Sequence, residues 1–246
     1  MITSKGNGVM VGATALGSST KKWGGIKNVF VPLTSPEGGS VYTPFGGLLM
    51  NPWPGQAKAY AADLFEYRTD DNGLNPELYV LKTYEVYSVS GKTVNIVRDG
   101  YRHLPYAGLI LINSPEEMGG TGEAMTVVSV AKNTIDGQDV WALTLAKAPT
   151  TAPVKGDILV ESDSDGNMLV KNVNAGLGHD EDFVYDPADM TPGAMDNYED
   201  ARYHLSVIFG FLAYTNRMSP IPPCVAKAVN TSRVNGWFKL GSWGSF

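Results

Sequence analysis

Leu78-Tyr-Val-Leu-Lys-Thr-Tyr-Glu-Val-Tyr87 is the stretch that decides the fold. It is rich in aromatic and β-branched residues, which suit a pleated, half-buried surface, so it reads as a strand. Downstream, Thr93–Val97, Leu109–Ile112, Met125–Val130, Val140–Leu145 and Ile158–Val160 carry the same signal. Turn residues separate them: Asp99-Gly100, Gly119-Gly120-Thr121-Gly122, Asp136-Gly137 and Asp165-Gly166. Short strands at this spacing predict an all-β barrel or sandwich. Tyr203–Tyr214 reads as one further, strongly apolar strand. Helix is scarce. Pro222-Pro223-Cys224-Val-Ala-Lys-Ala-Val229 is the one candidate, with proline in its first turn.

A weak internal echo runs through the β region. Ala62–Tyr67 leads through Asp71-Asn-Gly73 to Leu78–Lys82, and Gly156–Glu161 leads through Asp165-Gly-Asn167 to Met168–Lys171. Both read as strand–turn–strand units, which convergent hairpin chemistry explains as well as duplication does.

Upstream the composition changes. Residues 1–60 hold 11 glycines and 5 prolines, with Lys5, Lys21, Lys22, Lys27 and Lys58 against Glu37 alone. Such prolines rule out long helix and favour extended chain. Apolar rings are spaced along the segment at Trp23, Phe30, Tyr42, Phe45 and Trp53. The expectation is an extended N-terminal arm over 1–60 that anchors on other chains, followed by a β-rich core domain over 61–246. Trp243 and Phe246 at the other end of the sequence are further candidate anchors. Residues 180–200 hold eight acids and no lysine or arginine, so the net charge of −6 has a local origin. A basic arm and an acidic loop in one chain suit head-to-tail contact between copies, or contact with two different partner surfaces.

The sequence offers little catalytic chemistry. Gly91-Lys92-Thr93 shares the end of a phosphate-binding loop, but Val86 stands where that motif needs its first glycine. It reads as a turn between strands. Gly6-Asn-Gly8 lacks its third glycine, because position 11 is Val11. No Gly-x-Ser-x-Gly elbow is present. His103, His179 and His204 are far apart and offer no zinc motif. Cys224 is the sole cysteine, so no disulfide forms within the chain, and it reads as a buried structural thiol. Glu161-Ser-Asp163-Ser-Asp165-Gly166 imitates the start of a calcium loop, yet Asn172 occupies the position of the bidentate glutamate. A polar hairpin turn accounts for it. These failures lead to an expectation of no catalytic centre, no cofactor and no metal. The acidic balance and the lack of a basic stripe speak against nucleic acid, and no apolar run reaches the ~20 residues of a membrane span. Val9–Leu16 after Lys5 is a poor signal-peptide core, since Gly12 interrupts it.

In the C-terminal third, Tyr203-His-Leu-Ser-Val-Ile-Phe-Gly-Phe-Leu-Ala-Tyr-Thr-Asn-Arg-Met218, then Ser-Pro-Ile-Pro-Pro223 and a short helix, resembles the end of tailed-phage head decoration and head-fibre proteins. Val140-Trp-Ala-Leu-Thr-Leu-Ala146, the Ala148–Pro153 connection and Lys155–Val160 are similar to the β core of such capsid-attached modules. The resemblance covers roughly residues 90–240 and implies a mainly β, barrel- or sandwich-like core with one short C-terminal helix, to which the arm read from composition is joined. It also implies a virion protein on the capsid exterior, assembled in the bacterial cytoplasm, that cements capsomers. The implied partners are the major capsid protein, neighbouring virion proteins and a second copy of the chain. The alternative function is a head-fibre or adhesin module in which exposed tryptophans stack on host glycans.

Overall fold

The computed structural model describes residues 30–32, 47–60, 63–69, 76–98, 103–177, 181–185, 204–205, 207–208, 211–214, 219–231 and 238–241. Within them the chain is mainly β, as its alternating short apolar runs predict, with one helix, α1 (Pro223–Thr231). The chain forms two compact units. One comprises Leu81–Asn172 with Ser219–Ala228, and the other Met1–Val80, Val173–Met218 and Val229–Phe246. The division therefore does not fall at residue 60.

The second of these units contains β1 (Phe30–Pro32), β2 (Gly47–Leu49), β3 (Gly55–Ala59), β4 (Leu64–Thr69) and β5 (Pro76–Val80). Its six-stranded sheet places β2, β5 and β4 at its centre, with β2 and β5 parallel at Leu48↔Glu77 and Leu49↔Leu78. Residues 47–49 of the expected arm are thus a strand of this sheet, and residues 55–59 form a strand of a separate two-stranded one. The physical reason is apolar content: Gly-Leu-Leu is buried throughout, and Gly47 packs so closely that a Cβ would lie 2.9 Å from the Leu78 side chain. Phe65, Leu78, Val80 and, in β12 (Ala175–Leu177), Leu177 complete that core at full or near-full burial.

The other unit contains β6 (Thr83–Ser90), β7 (Thr93–Val97), β8 (Ile110–Asn113), β9 (Met125–Ile135), β10 (Gln138–Leu145) and β11 (Ile158–Glu161). They close into a barrel in the order β10-β7-β6-β11-β8-β9. Eight strands make a barrel just wide enough for side chains to fill, so six leave less room still. Inward alternation fills it with Tyr84, Val86, Val94, Ile96, Leu109, Leu111, Met125, Val127, Leu143, Leu145 and Leu159. The Gly91-Lys92 stretch is the β6–β7 hairpin turn, with Ser90 paired to Thr93. Asp136 and Gly137 turn β9 into β10 at φ 52° and 82°, the double positive φ of a two-residue hairpin.

Two long strands of the sequence reading are broken in the structure. Leu78–Tyr87 splits after Val80, where the chain leaves one unit for the other. Tyr203–Tyr214 supplies three short strands, β14 (His204–Leu205), β15 (Val207–Ile208) and β16 (Phe211–Tyr214), each in a different pairing. The first half of the internal echo is the β4–β5 hairpin, with Phe65 opposite Val80. The second half returns only through the single bridge Ser162↔Met168.

Candidate functional site

Main-chain alternation carries the inward face of β6 back from Val86 and Tyr84 to Lys82, and that of β11 forward from Leu159 to Glu161. Both side chains therefore meet at one end of the filled barrel. Lys82 Nζ lies 2.9 Å from Glu161 Oε1 and 3.1 Å from the Tyr106 hydroxyl, which itself donates to Glu161 Oε1 at 3.0 Å. The Tyr106 ring also receives the ammonium at 5.0 Å from its centre. Burial pushes the Lys82 ammonium below its ordinary range, and the Glu161 charge opposes that shift. A lysine with a lowered pKa is nucleophilic chemistry in principle. Here it is fully buried, and carboxylate and phenol oxygens engage it. The arrangement closes the barrel end and fixes the strand register of β6 against β11. The Tyr84 hydroxyl lies fully buried close by and has no hydrogen-bond partner among the described residues. Burial first, then the Glu161 and Tyr106 charges, raises it well above the usual phenol range.

A second polar concentration lines an open groove of about 400 Å³ between Asn113–Glu116, Gly156–Ile158 and the start of α1 at Pro223, Cys224 and Lys227. Cys224 is buried, as its sequence context predicts, and its Sγ lies 3.4 Å from Ser114 Oγ. Asp157 Oδ2 accepts from Asn113 Nδ2 at 2.8 Å and from the Val154 N–H at 2.9 Å. The polar wall of the groove is thus engaged in holding its own loops.

The calcium-like turn has the same character. Asp163 Oδ1 accepts the N–H groups of Asp165 and Asn167 at 2.9 Å each, and Asn167 Nδ2 reaches both carboxylate oxygens. The bonds from Asn167 chiefly hold this carboxyl below its ordinary range. Asp165 is exposed, while Gly166, at φ 83°, is buried against the Gly122 carbonyl, where no Cβ fits. Among the described residues no group of three or more His, Cys, Asp or Glu side chains is placed to hold a metal. His103 is buried, His204 sits in β14, and His179 lies outside the described residues. No helix among the described residues is long and apolar enough to cross a membrane.

Of the candidate anchor residues, Trp53 is only 4% exposed, so it belongs to the interior of its own chain and is no outward-facing anchor. The reason is its position between β2 and β3, both of which are strands of the unit. Phe30 begins β1, paired with Ala213 of β16. Trp23, Tyr42, Phe45, Trp243 and Phe246 lie outside the described residues. The charge segments meet within one chain: β13 (Glu181–Tyr185) pairs with β3 in a register that sets Asp182 opposite Lys58. The rest of the acidic segment, 186–200, lies outside the described residues.

Two asparagines escaped the sequence reading. Asn51 donates to the Val80 carbonyl at 2.9 Å and accepts the Val80 N–H at 2.8 Å. Asn174 does the same for Tyr67, at 2.8 and 2.7 Å. Each amide stands in for one more residue of a strand. Comparison of the chain with protein-family models, curated proteins and solved structures finds no match.

Proposed function

We infer that this chain is a structural, non-enzymatic protein of a virus particle, an auxiliary capsid protein on the outside of a tailed-phage head. The observation that carries the reading is the likeness of Tyr203–Pro223 and Val140–Val160 to head decoration and head-fibre proteins. The mainly β fold is of the class such modules use. The filled barrel also supports the reading, because side chains occupy its interior and leave binding to the exterior. The partners are then the major capsid protein and neighbouring virion proteins, engaged by contact area and strand pairing and not by chemistry. Low overall charge, 18% of residues, suits a surface partly covered by neighbours.

The test is quantitative mass spectrometry of purified particles, combined with immunogold labelling by an antibody to this chain. Many copies per particle and label spread over the head are expected. Absence from the particle, or a few copies confined to a tail or a single vertex, would overturn the cementing role.

A further inference from the structure

The barrel closes through a short seam. β8 pairs with β9 only at Ile110↔Thr126 and Leu111↔Met125. The last bonds across that seam join Val127 to Leu109 and Gly108, at 2.8 Å each. β9 runs on to Ile135 with β10 alone beside it, and among the described residues no strand pairs with its other edge. Ala131, Lys132, Asn133 and Thr134 are exposed there.

The ladder fixes which main-chain groups lie on that edge. Arg98 N–H donates to the Asp139 carbonyl at 3.0 Å, and Leu145 N–H donates to the Lys92 carbonyl at 2.8 Å. Odd-numbered residues of β10 thus aim at β7 and even-numbered ones at β9, since antiparallel strands alternate. Through the register Ala142↔Ala131 and Val140↔Asn133, the odd residues of β9 face β10. Val130, Lys132 and Thr134 therefore present their N–H and C=O groups to the open edge. An open edge recognises an extended strand through main-chain bonds.

We propose that this edge pairs antiparallel with the same edge of a second copy of the chain, with Ala131 on the two-fold axis. A two-fold relation between antiparallel strands sets some residue opposite its own copy. Centring on Lys132 would place like charges face to face, which destabilises a sheet. Centring on Ala131 sets Val130 opposite Lys132 of the other copy, with a full exchange of main-chain bonds, and Ser129 opposite Asn133. Ala131 then meets its copy at a non-hydrogen-bonded position, where Cα atoms approach to about 4.5 Å and a small side chain fits best. This contact is small beside the ~1,200 Å² of a stable interface. It forms a weak dimer in free solution and fills when copies are held side by side.

The close approach makes the register testable, because about 4.5 Å lies within the Cα separation that a disulfide spans. The full-length chain carrying Ala131→Cys, oxidised mildly, should run as a disulfide-linked dimer on a non-reducing denaturing gel. Asn133→Cys should stay largely monomeric, since its own copy lies out of reach in this register. The native Cys224 is buried and adds little background. Adding Lys132→Pro, which removes an N–H from the open edge and none from the β9–β10 ladder, should abolish the Ala131→Cys dimer while circular dichroism stays unchanged. Equal cross-linking at positions 131 and 133, no dimer at 131, or a dimer that survives Lys132→Pro in a folded chain would each overturn the proposal.

Discussion

Lys82, just ahead of β6, and Tyr84, within it, stand two residues apart and face the same barrel interior, yet they bear opposite energetic signs. Lys82 has a carboxylate and a phenol as partners, so removing its ammonium leaves Glu161 charged and buried without it. Lys82→Met should destabilise the protein by about 3–5 kcal/mol, and Lys82→Met with Glu161→Leu should recover most of that loss. Denaturant titration of the two single variants and the double variant gives the coupling directly. The Tyr84 hydroxyl has no partner among the described residues, so Tyr84→Phe should leave the protein as stable or up to about 1 kcal/mol more stable at neutral pH. The pH dependence follows from the raised phenol. Its folded pKa lies above the unfolded value near 10, so its contribution is intact below about pH 10 and is lost as pH rises through the folded value. Tyr84→Phe should therefore flatten the alkaline fall in stability, measured by urea titration at pH 8, 10 and 11. Neither residue stood out in the sequence, because parity along a strand says which face a side chain shares but not that a barrel closes over it. Glu161 was noted as the end of an echoed strand and as the first acid of a calcium-like turn, and the ladder puts it in the barrel end.

Elements were legible where local chemistry alone decides them. Asp136-Gly137 and Gly91-Lys92 turn where their residues demand it, and α1 begins at Pro223, whose ring suits a first helical turn. The breaks at Val80 and within 203–214 were hidden, since apolar β-formers continue through both and only partner strands set the ends. Trp53 shows the same limit: a tryptophan between prolines looks like an anchor for another chain, and flanking strands make it interior. Asn51 and Asn174 were invisible for a related reason, because an amide that imitates a strand residue depends on contacts 29 and 107 positions away. Asn51→Leu should cost about 2–4 kcal/mol, since it strands both main-chain groups of Val80 away from water. Asn51→Asp keeps only the acceptor half and should recover part of that loss. Thermal denaturation of the two variants beside the parent distinguishes a strand mimic from a side chain that merely fills space.

At the scale of the whole molecule, the chain forms two β units, and of the arm expected over 1–60, residues 1–29 and 33–46 lie outside the described residues. Residues 47–49 and 55–59 help to build one of them as β2 and β3, and the β3–β13 register sets Lys58 opposite Asp182 of the acidic segment. The barrel is filled and closed at one end, and among the described residues no strand pairs with the outer edge of β9 beyond the seam with β8; the proposed function assigns partners to that exterior. The central claim is that this surface sits on a virus head. Electron cryo-microscopy of native particles tests it most directly. The account predicts density for the six-stranded barrel repeated over the outer face of the capsid, in contact with the major capsid protein. A capsid exterior with no density into which the barrel fits, in particles shown to be intact, would contradict it.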